Sequence, residues 1–455
     1  MDKLNSLRKR YPLFLYEGFE YKKDKNTLEI SFLFKIPPNI EFKPIVKIKN
    51  IDESIYSNSK KKVIDNFIFN LGLVEMISYW KATCSPNIEI NAGNLNKNQT
   101  LWWKNLLIKG LGEFFYQNNI NFKEDKFIHF TSTAKNNFQK DKSTHKDRYL
   151  VANSGGRDSI VSLELLKNQK KEFAIFMLNP TTASISTANE SQFKKRVVVK
   201  REIDKRLLKL NEDGYLNGHT PFSAYLAFLS VLCAEFFDYK CVVFSNERSS
   251  NEENVEFLGE KINHQYSKSF EFEKSFREYV KENLSENIEY FIFLRPLYEL
   301  QISKIFAKYP KYFKVFKSCN RGQKTNSWCG QCPKCLSIYI TLYPFIEEKE
   351  LTEIFGSDLY SKKELLDLLL HITGAKKPKP FECVGTYGEL LEGIKLSIEK
   401  IEKNNKALPY LLSYSKNNIL EPNYKSKEYI ESWDEKNFLT DDLKQILKRI
   451  LDNEF

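Results

Sequence analysis

Val151-Ala152-Asn153-Ser154-Gly155-Gly156-Arg157-Asp158-Ser159 joins two segments of different periodicity. Before it, Arg148-Tyr149-Leu150-Val151-Ala152 has the apolar run of a short buried strand. After it, Ser159 to Leu166 sets Ile160, Leu163 and Leu166 along one face of a helix. Paired glycines open backbone conformations closed to other residues and let the main chain approach a ligand closely. The first turn of the following helix adds unpaired N–H groups and the positive end of its dipole, so the junction predicts an anion cradle. The lysine of the common Gly-x-x-x-x-Gly-Lys-Ser/Thr loop is missing, which leaves backbone amides and the hydroxyls of Ser154 and Ser159 to hold phosphate. A Ser-Gly-Gly turn without a ligand is the plainer alternative, and the strand and helix on either side argue against it.

From about 146 to 345 strands and helices alternate: Tyr149 to Ala152, the helix after the loop, Phe173 to Leu178, Val197 to Val199, a further helix, and Cys241 to Ser245. That order predicts an α/β fold, a parallel sheet with helices on both faces. Thr220-Pro221 before Phe222 predicts an N-cap and a first-turn proline opening a buried helix. In such sheets ligands sit beyond the carboxyl ends of the strands, where the Ser-Gly-Gly loop and Ser245-Asn246-Glu247-Arg248 both emerge. Glu247 and Arg248 are candidates for contacts with nucleotide or substrate carboxylates, or for a simple ion pair at a strand end.

Four thiols, Cys319, Cys329, Cys332 and Cys335, fall within 17 residues. Two interlocked Cys-x-x-Cys steps and one upstream thiolate supply four soft ligands for a closed, structural Zn²⁺ site. An iron–sulfur cluster could use the same set, and redox chemistry of one Cys-x-x-Cys pair is a third reading.

A chain of 455 residues exceeds a single core. The expected division is 1–145, an N-terminal α+β domain; 146–345, the α/β domain with the cysteine knuckle; and 346–455, a C-terminal helical region. In the first, Leu28 to Phe34 alternates like a strand before Pro37-Pro38. Val63 to Trp80 and Leu101 to Gln117 carry helical spacing, and the polar segment Ser132 to Asp147 has the composition of a linker. In the last, Lys363 to His371, Tyr387 to Glu402 and a segment opening at Thr440-Asp441-Asp442 are helical in pattern. No run of about 18 apolar residues predicts a membrane span, and the start lacks the apolar block of a signal peptide. A cytoplasmic location follows, and cysteines in metal-like spacing fit a reducing compartment. The formal net charge of +11 comes from 70 basic residues of which 12 are Arg, with lysines scattered rather than clustered. It favours an anionic small substrate over nucleic acid.

Further strings extend the pattern: Leu73 to Pro86, Trp102-Trp103-Lys104, Gly110 to Tyr116, Asn217-Gly218-His219-Thr220-Pro221-Phe222, Ser245 to Ser249, Asn263 to Ser269, and Pro380-Phe381-Glu382-Cys383-Val384-Gly385-Thr386. The Ser-Gly-Gly-x-Asp-Ser loop resembles that of enzymes that split ATP into AMP and pyrophosphate. With these strings the chain resembles the ATP-dependent UDP-N-acetylmuramoyl-L-alanyl-L-glutamate epimerase family. At the loop, Ser154 and Arg157 stand where Gly and Lys would serve equally. The cysteine knuckle is less diagnostic, since 7-cyano-7-deazaguanine synthases combine a similar loop with a similar knuckle. The resemblance implies an adenine nucleotide alpha hydrolase-like fold of pyrophosphatase-loop type. It also implies ATP and Mg²⁺ as cofactors, structural Zn²⁺, and an anionic UDP-sugar peptide as substrate. Ser154, Gly155, Gly156, Arg157, Asp158 and Ser159 would form the ATP loop, with Asp158 placing Mg²⁺ or the loop itself. Candidates for proton transfer are His219, His264, Cys84 and Cys383, against the plainer alternative that each is structural. Trp102-Trp103 and Phe114-Phe115-Tyr116 read as core, as do Cys233 and Cys241. Another adenylating enzyme, acting on a deazapurine or tRNA, and a non-catalytic nucleotide-binding module remain the alternatives.

Overall fold

The computed structural model describes residues 3–51, 60–124, 127–132, 134–135, 138–167, 172–421 and 428–452. It forms two compact units, each assembled from non-contiguous stretches. One comprises Met1–Leu150, Arg196–Val242 and Glu256–Tyr290; the other Val151–Lys195, Val243–Val255 and Phe291–Phe455.

The first unit is built on alternation. Strand Thr27–Ile36 buries every second residue, Leu28, Ile30, Phe32, Phe34 and Ile36, because successive side chains leave a strand on opposite faces. It pairs antiparallel with Leu13–Asp24 through a two-residue turn at Lys25-Asn26, with Lys25 at φ 54°. The strands run in the order Arg196–Glu202, Ile45–Lys49, Thr27–Ile36, Leu13–Asp24, Asn87–Ile90, His129–Ser132, the last two joining in parallel. Helix Lys61–Trp80 lies on this sheet. Gly72 within it costs roughly 1 kcal/mol of helix propensity relative to alanine. A Cβ there would fall 1.9 Å from the Tyr16 hydroxyl, so only glycine lets helix and sheet approach this closely. The helix also buries Glu75 in a two-pronged ion pair with Arg201, at 2.8 and 2.9 Å.

Three local expectations change in this unit. The helical pattern over Leu101 to Gln117 resolves into two helices, Lys97–Gly110 and Gly112–Gln117, because Leu111 leaves helical geometry at φ −101°, ψ 13°. Helix Phe222–Phe237 is buried along most of its length, but Pro221 rather than Thr220 occupies its N-cap and makes no side-chain cap. The Thr220 hydroxyl instead meets Lys81 Nζ at 3.0 Å. Where composition predicts a linker over Ser132 to Asp147, of which 133, 136 and 137 lie outside the described residues, the chain is pinned. The side chains of Asp141 and His145 are buried there, His145 Nε2 lying 3.1 Å from Asp141 Oδ2 and 3.3 Å from Glu235 Oε2. Ser285 Oγ donates to Asp141 at 3.0 Å.

The second unit is centred on the carboxyl ends of strands ordered Glu289–Ile292, Cys241–Phe244, Tyr149–Ala152, Phe173–Leu178. Entry pairs with entry (Glu289 N to Lys240 O, 2.8 Å) and exit with exit (Phe293 N to Phe244 O, 2.8 Å), which makes the first pair parallel. The fold is mixed α/β. Helix Arg157–Lys167 connects Tyr149–Ala152 to its neighbour Phe173–Leu178. Helices dominate the remainder, including Glu299–Phe306, Pro333–Leu342 and Tyr387–Lys403, the last opened by a reciprocal Thr386/Glu389 cap. Among the described residues no helix is long and apolar enough to cross a membrane.

Candidate functional site

Asn153, the first residue after strand Tyr149–Ala152, organises the Ser-Gly-Gly loop. Its Oδ1 accepts from Gly155 N (2.9 Å) and lies 3.0 Å from Ser159 Oγ, while its Nδ2 donates to Ser184 O (3.0 Å) and Thr187 Oγ1 (3.2 Å). One buried amide thus ties the turn to helix Thr182–Glu190. Gly155 has φ +85°, and a Cβ on it would fall 2.5 Å from Ser184 N. Lys317 N donates to Gly155 O at 3.0 Å and closes the turn's other side.

Within the loop the six expected residues separate. Ser154 is exposed, and the glycines bring main chain close. The Ser159 hydroxyl is engaged inside the loop with Asn153 and Gly156 O. The Arg157 guanidinium is 1% exposed and faces inward. It meets Asp158 Oδ1 through Nε and Nη2 (both 2.7 Å), Ser303 Oγ (2.7 Å) and Glu299 Oε2 (3.4 Å). What Arg157 offers a ligand is therefore its backbone N–H rather than its charge. Glu299 is fully buried between Arg157 and Lys334, whose Nζ lies 3.2 Å from Oε1. Burial alone would raise the Glu299 carboxyl, but Lys334 and Arg157 outweigh it and hold the group below its usual range. Asp158 keeps about a quarter of its side chain exposed, 27%, so one carboxylate remains presented at the helix start.

Glu247 and Arg248 leave the neighbouring strand Cys241–Phe244. Glu247 is buried, and its carbonyl accepts from Arg295 at 3.0 Å. Arg248 pairs with Asp434 at 3.5 Å and stacks over Tyr298. Cys383 is half-buried.

The four knuckle cysteines converge. Sγ separations are 3.9 Å for Cys319–Cys332, 3.7 Å for Cys329–Cys335 and 3.5 Å for Cys332–Cys335, and all four sulfurs lie within 4.8 Å of one another. These are far beyond a disulfide bond. Four thiolates at about 2.3 Å from one tetrahedral ion stand roughly 3.8 Å apart, so the set fits a single Zn²⁺. Gly330, at φ +62°, turns the Cys-x-x-Cys step, and Cys332 caps helix Pro333–Leu342.

In the first unit His219 and His264 converge on a residue to which sequence reasoning gave no role. Glu113 Oε2 faces His264 Nδ1 in a short hydrogen bond and His219 Nδ1 at 3.2 Å, while Gln117 Nε2 holds Oε1 at 2.8 Å. Burial, then the charges of His264, Lys81 and Lys268, push the His219 imidazole down to about 3. Burial also brings Lys81 down to about 8. Cys84 is completely buried at φ +48°; burial drives its thiol up, and no face of it is open to a substrate. Trp103, Phe114, Phe115, Cys233 and Cys241 are core residues, with Trp102 and Tyr116 at the margin.

A family profile described as the MurL N-terminal domain matches residues 5–293, and one described as the MurL C-terminal domain matches residues 315–422. The chain belongs to the MurL family. A relative named UDP-N-acetyl-alpha-D-muramoyl-L-alanyl-L-glutamate epimerase, from Xanthomonas oryzae pv. oryzae, is 33% identical over 69% of this chain and 70% of its own. Proteins of the same name from a Micromonospora species and from Salinispora tropica are 31% and 36% identical, the former over 72% and 74% of the two chains, the latter over 55% of each. The first MurL match spans both the loop and the Glu113 cluster; the second spans the knuckle.

Proposed function

We propose that this chain is an ATP-dependent epimerase that inverts the terminal L-glutamate of UDP-N-acetylmuramoyl-L-alanyl-L-glutamate during cytoplasmic peptidoglycan precursor synthesis. The name shared by its relatives supports the substrate and the inversion. The observation that carries the nucleotide half is the Asn153-anchored turn, in which Gly155 at positive φ leaves main-chain N–H groups at the start of a helix. We take this as a pyrophosphatase-type loop in an adenine nucleotide alpha hydrolase-like fold.

Removing the α-proton beside an ionised carboxylate would place charge next to charge. In the proposed first step a carboxylate oxygen of the glutamate attacks the α-phosphorus of ATP, an O–P bond forms, and pyrophosphate leaves. The acyl adenylate has lost the carboxylate charge, so its carbonyl can accept the electron pair of the breaking Cα–H bond. Reprotonation on the opposite face inverts the centre, and water then cleaves the acyl bond, releasing AMP and the D-glutamyl product. The backbone of Ser154 to Ser159 would bind phosphate oxygens. Asp158 would hold Mg²⁺, which neutralises phosphate charge when bound. Arg157, Glu299 and Lys334 keep that carboxylate aimed. Cys319, Cys329, Cys332 and Cys335 would hold Zn²⁺ as a structural staple. His219 and His264 are the groups assigned to proton transfer. The surplus of positive charge favours encounter with an anionic nucleotide sugar.

The test is incubation with ATP, Mg²⁺ and the nucleotide dipeptide in deuterium oxide. AMP, pyrophosphate and a D-glutamyl product carrying deuterium at the α-carbon are expected. ADP, or unchanged stereochemistry, refutes the proposal.

A further inference from the structure

The cysteine knuckle and the Ser-Gly-Gly loop lie in the same compact unit, and the knuckle grips the loop from both of its ends. At the first end, Lys317 and Ser318 immediately precede Cys319. Lys317 N donates to Gly155 O at 3.0 Å, and Ser318 Oγ stands so near Gly156 that a Cβ there would meet it at 3.0 Å. At the other end, Lys334 lies between Cys332 and Cys335, in the first turn of helix Pro333–Leu342. Its Nζ reaches Glu299 Oε1 at 3.2 Å, Glu299 Oε2 faces Arg157 Nη2 at 3.4 Å, and Arg157 holds Asp158 Oδ1 at 2.7 Å. About two turns further along the same helix, Thr341 Oγ1 accepts from Arg157 Nη1 at 3.2 Å. The side chains of Arg157, Glu299 and Lys334 are 1%, 0% and 10% exposed. Solvent screens exposed ion pairs and exchanges their partners, whereas a buried chain of charges keeps the partners it has.

We infer that the cysteine knuckle is a clamp on the nucleotide loop, with Lys334 and Glu299 as positioning residues, so that metal occupancy and nucleotide binding are coupled. The inference rests on the ATP reading of the loop above. Between Cys319 and Pro333 the chain forms turns and bends without helix or strand, so its shape depends on what joins the four sulfurs. An ion held by all four fixes Cys319 against Cys332 and Cys335, and with them the Lys317 amide and the Lys334 ammonium. Without the ion the two grips are free to move apart. Gly155 O then loses a donor in fixed position. Glu299, with Lys334 displaced, keeps only Arg157 as counter-charge and draws it away from Asp158, because a buried carboxylate holds whatever cation remains. Coupling of this kind is reciprocal: a nucleotide that fixes the loop tightens the knuckle's hold on its ion by the same factor.

The experiment compares the full chain loaded with zinc and stripped by a zinc-selective chelator, in excess Mg²⁺, with Lys334→Met and Lys334→Arg alongside. Binding of a non-hydrolysable ATP analogue is read by calorimetry, zinc retention by competition with the chelator, and protection of the loop by hydrogen exchange and mass spectrometry. Zinc-free protein should bind the analogue roughly 10-fold more weakly, and saturating analogue should strengthen zinc retention by the same factor. Lys334→Met keeps all four thiols. It should retain its zinc yet bind the analogue more weakly by about that factor and exchange faster over residues 154–159, and Lys334→Arg should restore both. Equal affinity with and without zinc, or a Lys334→Met variant with wild-type affinity and exchange, overturns the clamp. Where either perturbation unfolds the protein, the other decides. Wild-type protein that does not bind the analogue defeats the nucleotide reading instead, and loop exchange in Lys334→Met then decides the clamp by itself.

Discussion

Replacing Gly155 with alanine probes the loop most directly. At φ +85° an L-residue pays about 1–2 kcal/mol for its Cβ. The added carbon would lie 2.5 Å from Ser184 N, 2.6 Å from the Ala183 carbonyl carbon and 2.9 Å from Ala183 Cβ, all belonging to or fixed by backbone. Forced overpacking of this kind costs roughly 1–3 kcal/mol. Gly155→Ala should therefore lose about 2–5 kcal/mol of stability, unless the turn moves to relieve the clash. Movement would break the bonds from Gly155 N to Asn153 and from Lys317 N to Gly155 O, and would disturb the N–H groups proposed to bind phosphate. Two measurements cover both outcomes: urea unfolding followed by circular dichroism, and binding of a non-hydrolysable ATP analogue by calorimetry. A variant within 0.5 kcal/mol of wild type that binds the analogue equally well would refute the argument that glycine is required there and that this turn is the nucleotide site.

Asp158→Asn should cut pyrophosphate release by 100-fold or more, roughly the loss when a metal-positioning charge disappears, with its circular dichroism spectrum unchanged; turnover within threefold of wild type counts against its role. Elemental analysis of freshly purified, reduced protein should find close to one zinc per chain, and Cys332→Ser should abolish it, whereas iron in its place would revive the cluster reading. The His145 clasp predicts a pH dependence. Burial works against its charge, but the hydrogen bonds and charges of Asp141 and Glu235 outweigh this and lift the imidazole to about 9. Asp238 lies 3.7 Å from its other nitrogen, and Lys60 meets Glu235 at 3.2 Å. A folded-state value raised from 6.5 means stability fully present below pH 6.5 and lost as pH rises through 9, about 3 kcal/mol in all. His145→Asn should remove most of that slope between pH 6 and 10 in urea titrations. A slope identical to wild type would show that the imidazole is uncharged when folded.

Patterns carried by neighbours in the chain were legible. The alternation of Leu28 to Phe34 becomes strand Thr27–Ile36, and the helical spacing of Val63 to Trp80 becomes helix Lys61–Trp80. Composition misled over Ser132 to Asp147, because two polar side chains, Asp141 and His145, are buried by pairing with Glu235 and Ser285, which lie far along the chain. Glu299 carried no motif, and Lys334 stood inside the last Cys-x-x-Cys step with no role of its own assigned. Glu113 sat in a quoted string, but a glutamate on a short helix signals nothing until its partners are known.

By itself the sequence determined where glycine-rich main chain meets a helix, how four thiols are spaced, and which residues alternate or recur each turn. These are short-range properties, settled by backbone geometry within a few residues. Only the tertiary structure decided that Arg157 turns inward to Glu299, that Ser159 bonds within its own loop, and that His219 and His264 share the carboxylate of Glu113, 151 residues before His264. Burying a charge requires a partner, and which partner arrives is set by the packing of distant segments, an interaction no local pattern encodes.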